Sequence, residues 1–118
     1  MRILSFKYAG EGIKAALKEE PNLKFHFMAG FLVVVISFML NLSKTEWGII
    51  LILIGLVISV ELTNSAIEAV VDSFVDQEHP RAKLAKDISA GAVLVVALTS
   101  AIVGAVIFLP HIWTLFLR

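Results

Sequence analysis

Three apolar runs, near residues 25–42, 47–71 and 88–109, each approach the roughly 20 residues that a helix needs to cross the hydrocarbon core of a bilayer. Lipid offers backbone amides no hydrogen-bond partners, and runs of this length satisfy them within a helix. The whole chain fits that setting: 58% of its residues are hydrophobic and 17% charged, with a mean hydropathy of +0.90, whereas soluble domains carry about 25% charged residues. An all-α integral membrane protein with three transmembrane helices follows, forming one domain over residues 1–118. A bundle this small has little interior in which to hide polar groups, so association between copies is expected.

Residues 3 to about 20 place Ile3, Phe6, Gly10, Ile13 and Leu17 at alternating spacings of three and four, with Lys7, Glu11, Lys14 and Lys18 among the remaining positions. The spacing predicts an amphipathic helix, whose Lys-bearing face suits the membrane surface or whose apolar face packs on its own bundle. Pro21 marks its end, because proline disfavours the helical region for the residue before it. Five of the ten basic residues, Arg2, Lys7, Lys14, Lys18 and Lys24, precede the first span. Arg81, Lys83 and Lys86 lie in the polar segment 73–87, whereas the connection between the first two spans holds only Lys44. The positive-inside rule then puts the N-terminus and the 73–87 loop in the cytoplasm and the C-terminus outside. No cleavable leader is expected. The formal charge of zero gives no sign of nucleic-acid binding, and the absence of Cys removes disulfide and thiolate-metal arguments. Small residues of the third span, Ala90, Gly91, Ala97, Ala101, Gly104 and Ala105, allow close helix packing.

Against this apolar background the stretch ELTNSAIEAVVD, residues 61–72, is anomalous. At roughly 100° per residue, Glu61, Asn64, Glu68 and Asp72 fall within an arc of about 80° and form one polar stripe. Ionisable groups at bilayer depth cost a few kcal/mol or more and mark chemistry or transport. Glu61, between Val60 and Leu62, is the deepest carboxylate and a candidate for exchanging a proton with a substrate. Glu68 lies nearer the water, where it and Glu20 could hold a hard divalent cation through oxygen ligands; a solvated glutamate at a helix end is the plainer reading of Glu20. Lys86 and Asp87, with Arg81 and Lys83 close by, could bind nucleotide phosphates, or Lys86 and its basic neighbours could serve as ordinary juxtamembrane charge that attracts anionic lipid. No G-x-x-x-x-G-K-[ST] loop, H-E-x-x-H site or nucleophile elbow occurs.

Residues 61–72 match the E-x-x-N-S/T-A-I-E-x-x-V/I-D signature of the small bacterial membrane kinases, and the chain resembles that prokaryotic diacylglycerol kinase and undecaprenol kinase family in two further blocks. His79-Pro80 with Ala85-Lys86-Asp87 and the following residues is similar to its A-K-D-x-x-[AS]-x-A-V-L segment. Glu20-x-Asn22-x-Lys24-x-His26 is similar to its E-x-N-x-[RK]-x-H run. The resemblance implies a homotrimer of three-helix subunits with a surface helix, inter-subunit active sites at the cytoplasmic membrane face, and transfer of the ATP γ-phosphoryl group to a lipid hydroxyl. It implies Glu61 as general base, Glu20 and Glu68 as ligands of ATP-bound Mg²⁺, and Asn64 and Asp72 as polar support. Tyr8, Glu78, His79, Lys86 and Asp87 would join Glu20 and Glu68 around the nucleotide. His26 and the His79-Pro80 approach look more like the undecaprenol kinases of Gram-positive bacteria than the proteobacterial diacylglycerol kinases. The family often has Gly soon after the signature Asp, where Ser73-Phe74-Val75 stands here. The alternative from another class is a small oligomeric proton- or cation-coupled transporter using Glu61. It leaves Glu68, Asp72 and the Lys86-Asp87 pair without a role.

Overall fold

Two prolines and a serine set the helix boundaries. The computed structural model describes residues 3–76 and 79–117, which form α1 (Ile3–Glu19), α2 (Pro21–Leu40), α3 (Lys44–Phe74) and α4 (Pro80–Phe116). Pro21 stands in the first turn of α2, after an extended Glu20, where its missing N–H would lack an intrahelical partner anyway. Asn41 closes α2 in the left-handed region at φ 61°, a conformation asparagine tolerates better than most residues. Ser43 then starts α3 with a reciprocal capping box: its Oγ accepts from Glu46 N at 3.2 Å, and Glu46 Oε1 accepts from Ser43 N at 3.0 Å. Pro80 opens α4, and His79 caps it by accepting from Arg81 N at 3.2 Å through Nδ1.

The polar segment expected as a loop over 73–87 is largely helical. α3 continues to Phe74 and α4 begins at Pro80, because a capping histidine and a proline with preset φ start the helix well before the apolar run. Arg81, Lys83, Lys86 and Asp87 therefore stand on a regular helical framework. At 1.5 Å per residue α3 is about 46 Å long and α4 about 55 Å, both longer than the roughly 30 Å hydrocarbon core. Their ends must reach the interface and the water beyond.

Helices α2, α3 and α4 are each long and apolar enough to cross a membrane. α3 packs mainly on α4, α2 flanks them, and α1 touches α2 and α3. The inward apolar cluster sits at one end, where Leu42, Ile50 and Ile107 are buried against Val33, Trp47, Ile54 and Phe108. Elsewhere large apolar side chains such as Phe31, Phe38, Leu94 and Ile102 face outward. Water would penalise such a surface; lipid or a second copy does not. Several hydroxyls within the helices turn back onto the preceding turn, among them Ser37 Oγ, which donates to Val33 O at 2.7 Å, and Thr63 Oγ1, which donates to Ser59 O at 2.9 Å.

Candidate active site

The polar stripe predicted for residues 61–72 lies on α3, with its deep end enclosed by the fold. Glu61 is 3% exposed and Asn64 8%, and at 1.5 Å per residue Glu61 sits about 16 Å along the axis from Asp72. His26 Nε2, from α2, approaches Glu61 Oε2 at 3.9 Å, beyond hydrogen-bond distance. One turn further along, Asn64 Nδ2 donates to Glu68 Oε1 at 3.4 Å, a long bond. Asn64 Oδ1 and the neighbouring Ser65 Oγ are buried with no hydrogen-bond partner. Orphaned polar atoms of this kind cost about 1–3 kcal/mol each and are uncommon outside functional sites.

Between α1 and α3 opens a cleft of about 580 Å³, lined by Glu19, Glu20, Ser65, Glu68 and Asp72 together with the small residues Gly12, Ala16 and Ala69. The structure thus brings Glu20, Glu68 and Asp72 together in one cleft. Burial pushes the Glu20 carboxyl above the usual range, and the negative charges of Glu68, Glu61, Glu19 and Asp72 push the same way. The cleft is short of positive charge. Lys86 Nζ crosses from α4 to donate to Asp72 Oδ1 at 2.8 Å, and Lys83 Nζ donates to Asp87 Oδ2 at 2.6 Å along α4. Lys86 and Asp87 are therefore each engaged in an ion pair, in a separate hollow between α3 and α4 that shares Asp72 with the cleft.

Among the described residues, no three His, Asp or Glu side chains converge to make a metal site unaided. Mg²⁺ normally takes only one or two protein carboxylates and fills its shell with phosphate oxygens and water. Two hard oxygen donors, Glu20 and Glu68, in a cleft with excess negative charge fit that pattern. Tyr8 is exposed on α1 and is not among the cleft residues; His79 serves as the α4 cap; Glu78 lies outside the described residues. Glu19 and Ser65 were not singled out from the sequence, although Ser65 stands four residues after Glu61 and could have been placed beside the stripe by helical spacing.

A second concavity, about 350 Å³ and almost wholly apolar, runs between α2, α3 and α4. Phe25, Gly30, Val33, Ile54, Val57 and Ala101 line it, and among the described residues His26 is its only ionisable lining residue. Glu61 thus meets, through His26, the edge of an apolar groove, while the same face of α3 continues into an acidic cleft.

The profile of the family described as prokaryotic diacylglycerol kinase matches residues 7–108. An undecaprenol kinase of Bacillus subtilis is 48% identical over 92% of this chain and 88% of its own length. A diacylglycerol kinase of Synechocystis is 37% identical over 96% of the chain and 65% of its own length. That of Escherichia coli K12 is 32% identical over 88% of the chain and 85% of its own length. With three helices fit to span a bilayer and a family match over most of its length, the chain is an integral-membrane member of the prokaryotic diacylglycerol kinase family.

Proposed function

We propose that this kinase transfers the γ-phosphoryl group of ATP to the hydroxyl of a membrane lipid, undecaprenol in preference to diacylglycerol. The observation that carries the proposal is the continuity of one helix face: a carboxylate 3% exposed at Glu61 and an acidic cleft at Glu68 and Asp72 share α3. A lipid hydroxyl and a water-soluble nucleotide have to meet across such a boundary. Glu61 accepts the hydroxyl proton as the oxygen attacks the γ-phosphorus and the bond to the β,γ-bridging oxygen breaks. Glu20 and Glu68 hold the nucleotide-bound Mg²⁺, which when bound neutralises phosphate charge. Asn64 orients Glu68 through the bond it already makes. Lys86 and Asp87 hold the nucleotide from the adjoining α3–α4 hollow, and Asp72, which lines both hollow and cleft, keeps Lys86 beside it. Tyr8, Glu78 and His79 complete the nucleotide side.

The preference for undecaprenol draws on the Bacillus subtilis relative, which is more similar than the two diacylglycerol kinases. The outward apolar surface of α2 and α4 suits a homotrimer with active sites between subunits. α1 lies on the membrane surface; the N-terminus and the α3–α4 connection face the cytoplasm, and the C-terminus faces outward. A proton- or cation-coupled transporter would use Glu61 but would leave the acidic cleft idle.

Purified protein in lipid, given radiolabelled ATP, Mg²⁺ and either undecaprenol or diacylglycerol, tests the reading. Label is expected in both lipids and more rapidly in undecaprenol. No label in either, from protein that is folded and oligomeric, would exclude a lipid kinase; faster labelling of diacylglycerol would reverse the preference alone.

A further inference from the structure

A general base that takes a proton at each turnover must lose it before the next, and the fold obstructs the direct way out of Glu61. Its side chain is 4% exposed, against 19% for His26. The two helices run antiparallel, joined by the short turn at residues 41–43. Helical side chains tilt toward the N-terminus of their own helix. Glu61 therefore leans along α3 away from the Asp72 end, deeper into the bundle. His26 leans the other way, toward the start of α2 at Pro21, about 8 Å distant along the axis. That end carries exposed Asn22 and Lys24. Phe25 meets the His26 ring edge-on with centroids 5.7 Å apart, which limits where the imidazole can swing.

We infer that His26 carries the proton from Glu61 to solvent between turnovers. This rests on Glu61 being the base of the lipid kinase reaction. The lipid oxygen bonds to phosphorus, ADP departs with the bridging oxygen, and the hydroxyl proton passes to the Glu61 carboxylate. It then moves to the unprotonated Nε2 of a neutral His26, and water removes it from the ring. Carboxylate and imidazole are each restored, so nothing else is consumed. The 3.9 Å separation needs to shorten by about 1 Å for transfer, a closure common between resting and reacting arrangements. A neutral imidazole has one ring nitrogen free to accept a proton and a second that carries one, which suits a carrier. Among the described residues, Glu61 faces it from α3, Glu20 and Glu68 lie beyond in the acidic cleft, and α1 and α4 contribute no ionisable side chain to the groove that His26 lines. His26 acts through Glu61 and is a positioning residue for the proton, distinct from the groups that touch substrate.

The test compares wild type with His26→Gln and His26→Ala in the lipid-labelling assay across pH 6–9, with Mg-ATP binding measured on each. Glutamine retains size and a hydrogen-bond donor but carries no proton near neutrality. The expected result is a fall in kcat of at least about tenfold in both variants, with KM for Mg-ATP within about twofold, and recovery of His26→Ala by added imidazole in proportion to its unprotonated form. Wild-type kcat in His26→Gln at every pH would overturn the inference, as would a binding-competent His26→Ala that imidazole leaves unchanged. If His26→Ala fails to bind Mg-ATP, the glutamine variant decides by its kcat and pH profile. Absence of transfer by the wild type itself would instead remove the lipid kinase reading and this inference together.

Discussion

The two ends of the helical bundle handle polar groups in opposite ways. At the α2–α3 turn nearly every group has a partner: Ser43 and Glu46 cap one another, and His111 Nε2 lies 3.1 Å from both Glu46 carboxylate oxygens. Thr114 Oγ1 donates to Pro110 O, and the apolar cluster of Leu42, Ile50 and Ile107 lies close by. At the other end Asn64 Oδ1 and Ser65 Oγ have no partner, Glu61 is buried with His26 Nε2 3.9 Å from it, and Glu20 binds its proton more tightly because burial, and after it the surrounding carboxylates, disfavour its charge. Satisfied polar groups rigidify a fold, whereas unsatisfied ones are retained where a substrate or ion completes them. On the proposed function, the first end holds the bundle together and the second serves binding and chemistry.

If that division is right, substitutions at the second end lower activity with little loss of stability, and those at the first do the reverse. The largest effect is expected from Glu61→Gln, which should lower kcat by about 10²–10⁴-fold, the range for loss of a general base, while its thermal midpoint stays near wild type. Lys86→Gln comes next. Removing a charge-assisted phosphate contact of about 1.5–3 kcal/mol should raise KM for ATP by roughly 10- to 100-fold, measured by initial rates. An unchanged KM would show that Lys86 serves only its ion pair with Asp72.

Stability effects follow in size. Gly30 is buried against α3, and even a Cβ there would approach Ile54 Cγ2 at 3.1 Å. Gly30→Leu should therefore force α2 from α3 and cost about 1–3 kcal/mol in an unfolding titration. Ser43→Ala should cost about 1 kcal/mol through loss of the α3 cap, with kcat per folded molecule unchanged. His111→Gln should cost less, under about 1 kcal/mol, since the pair with Glu46 is partly exposed. A tenfold fall in kcat for either of the last two, in protein that is fully folded, would break the division between the ends.

Much of the second end was legible in the sequence because its key groups repeat along one helix. Glu61, Asn64, Glu68 and Asp72 declare a common face through spacing alone, and Pro21 and Pro80 declare helix starts. Pairings between helices were not legible. Lys86 meets Asp72 across 14 residues and His111 meets Glu46 across 65, and periodicity within a helix says nothing about the rotation of its neighbour. The approach of His26 to Glu61 is of the same kind. The early start of α4 was obscured by its polar first turns, which hydropathy reads as loop and capping chemistry reads as helix.

The claim that α3 divides its labour along one face is tested most directly by titrating Mg-ATP onto Glu61→Gln and Glu68→Gln under the conditions used to measure their turnover. The account predicts that Glu61→Gln binds Mg-ATP as wild type does but turns over at least about a hundredfold more slowly, while Glu68→Gln binds Mg-ATP distinctly more weakly. Wild-type turnover in Glu61→Gln, or wild-type Mg-ATP affinity in Glu68→Gln, would contradict it.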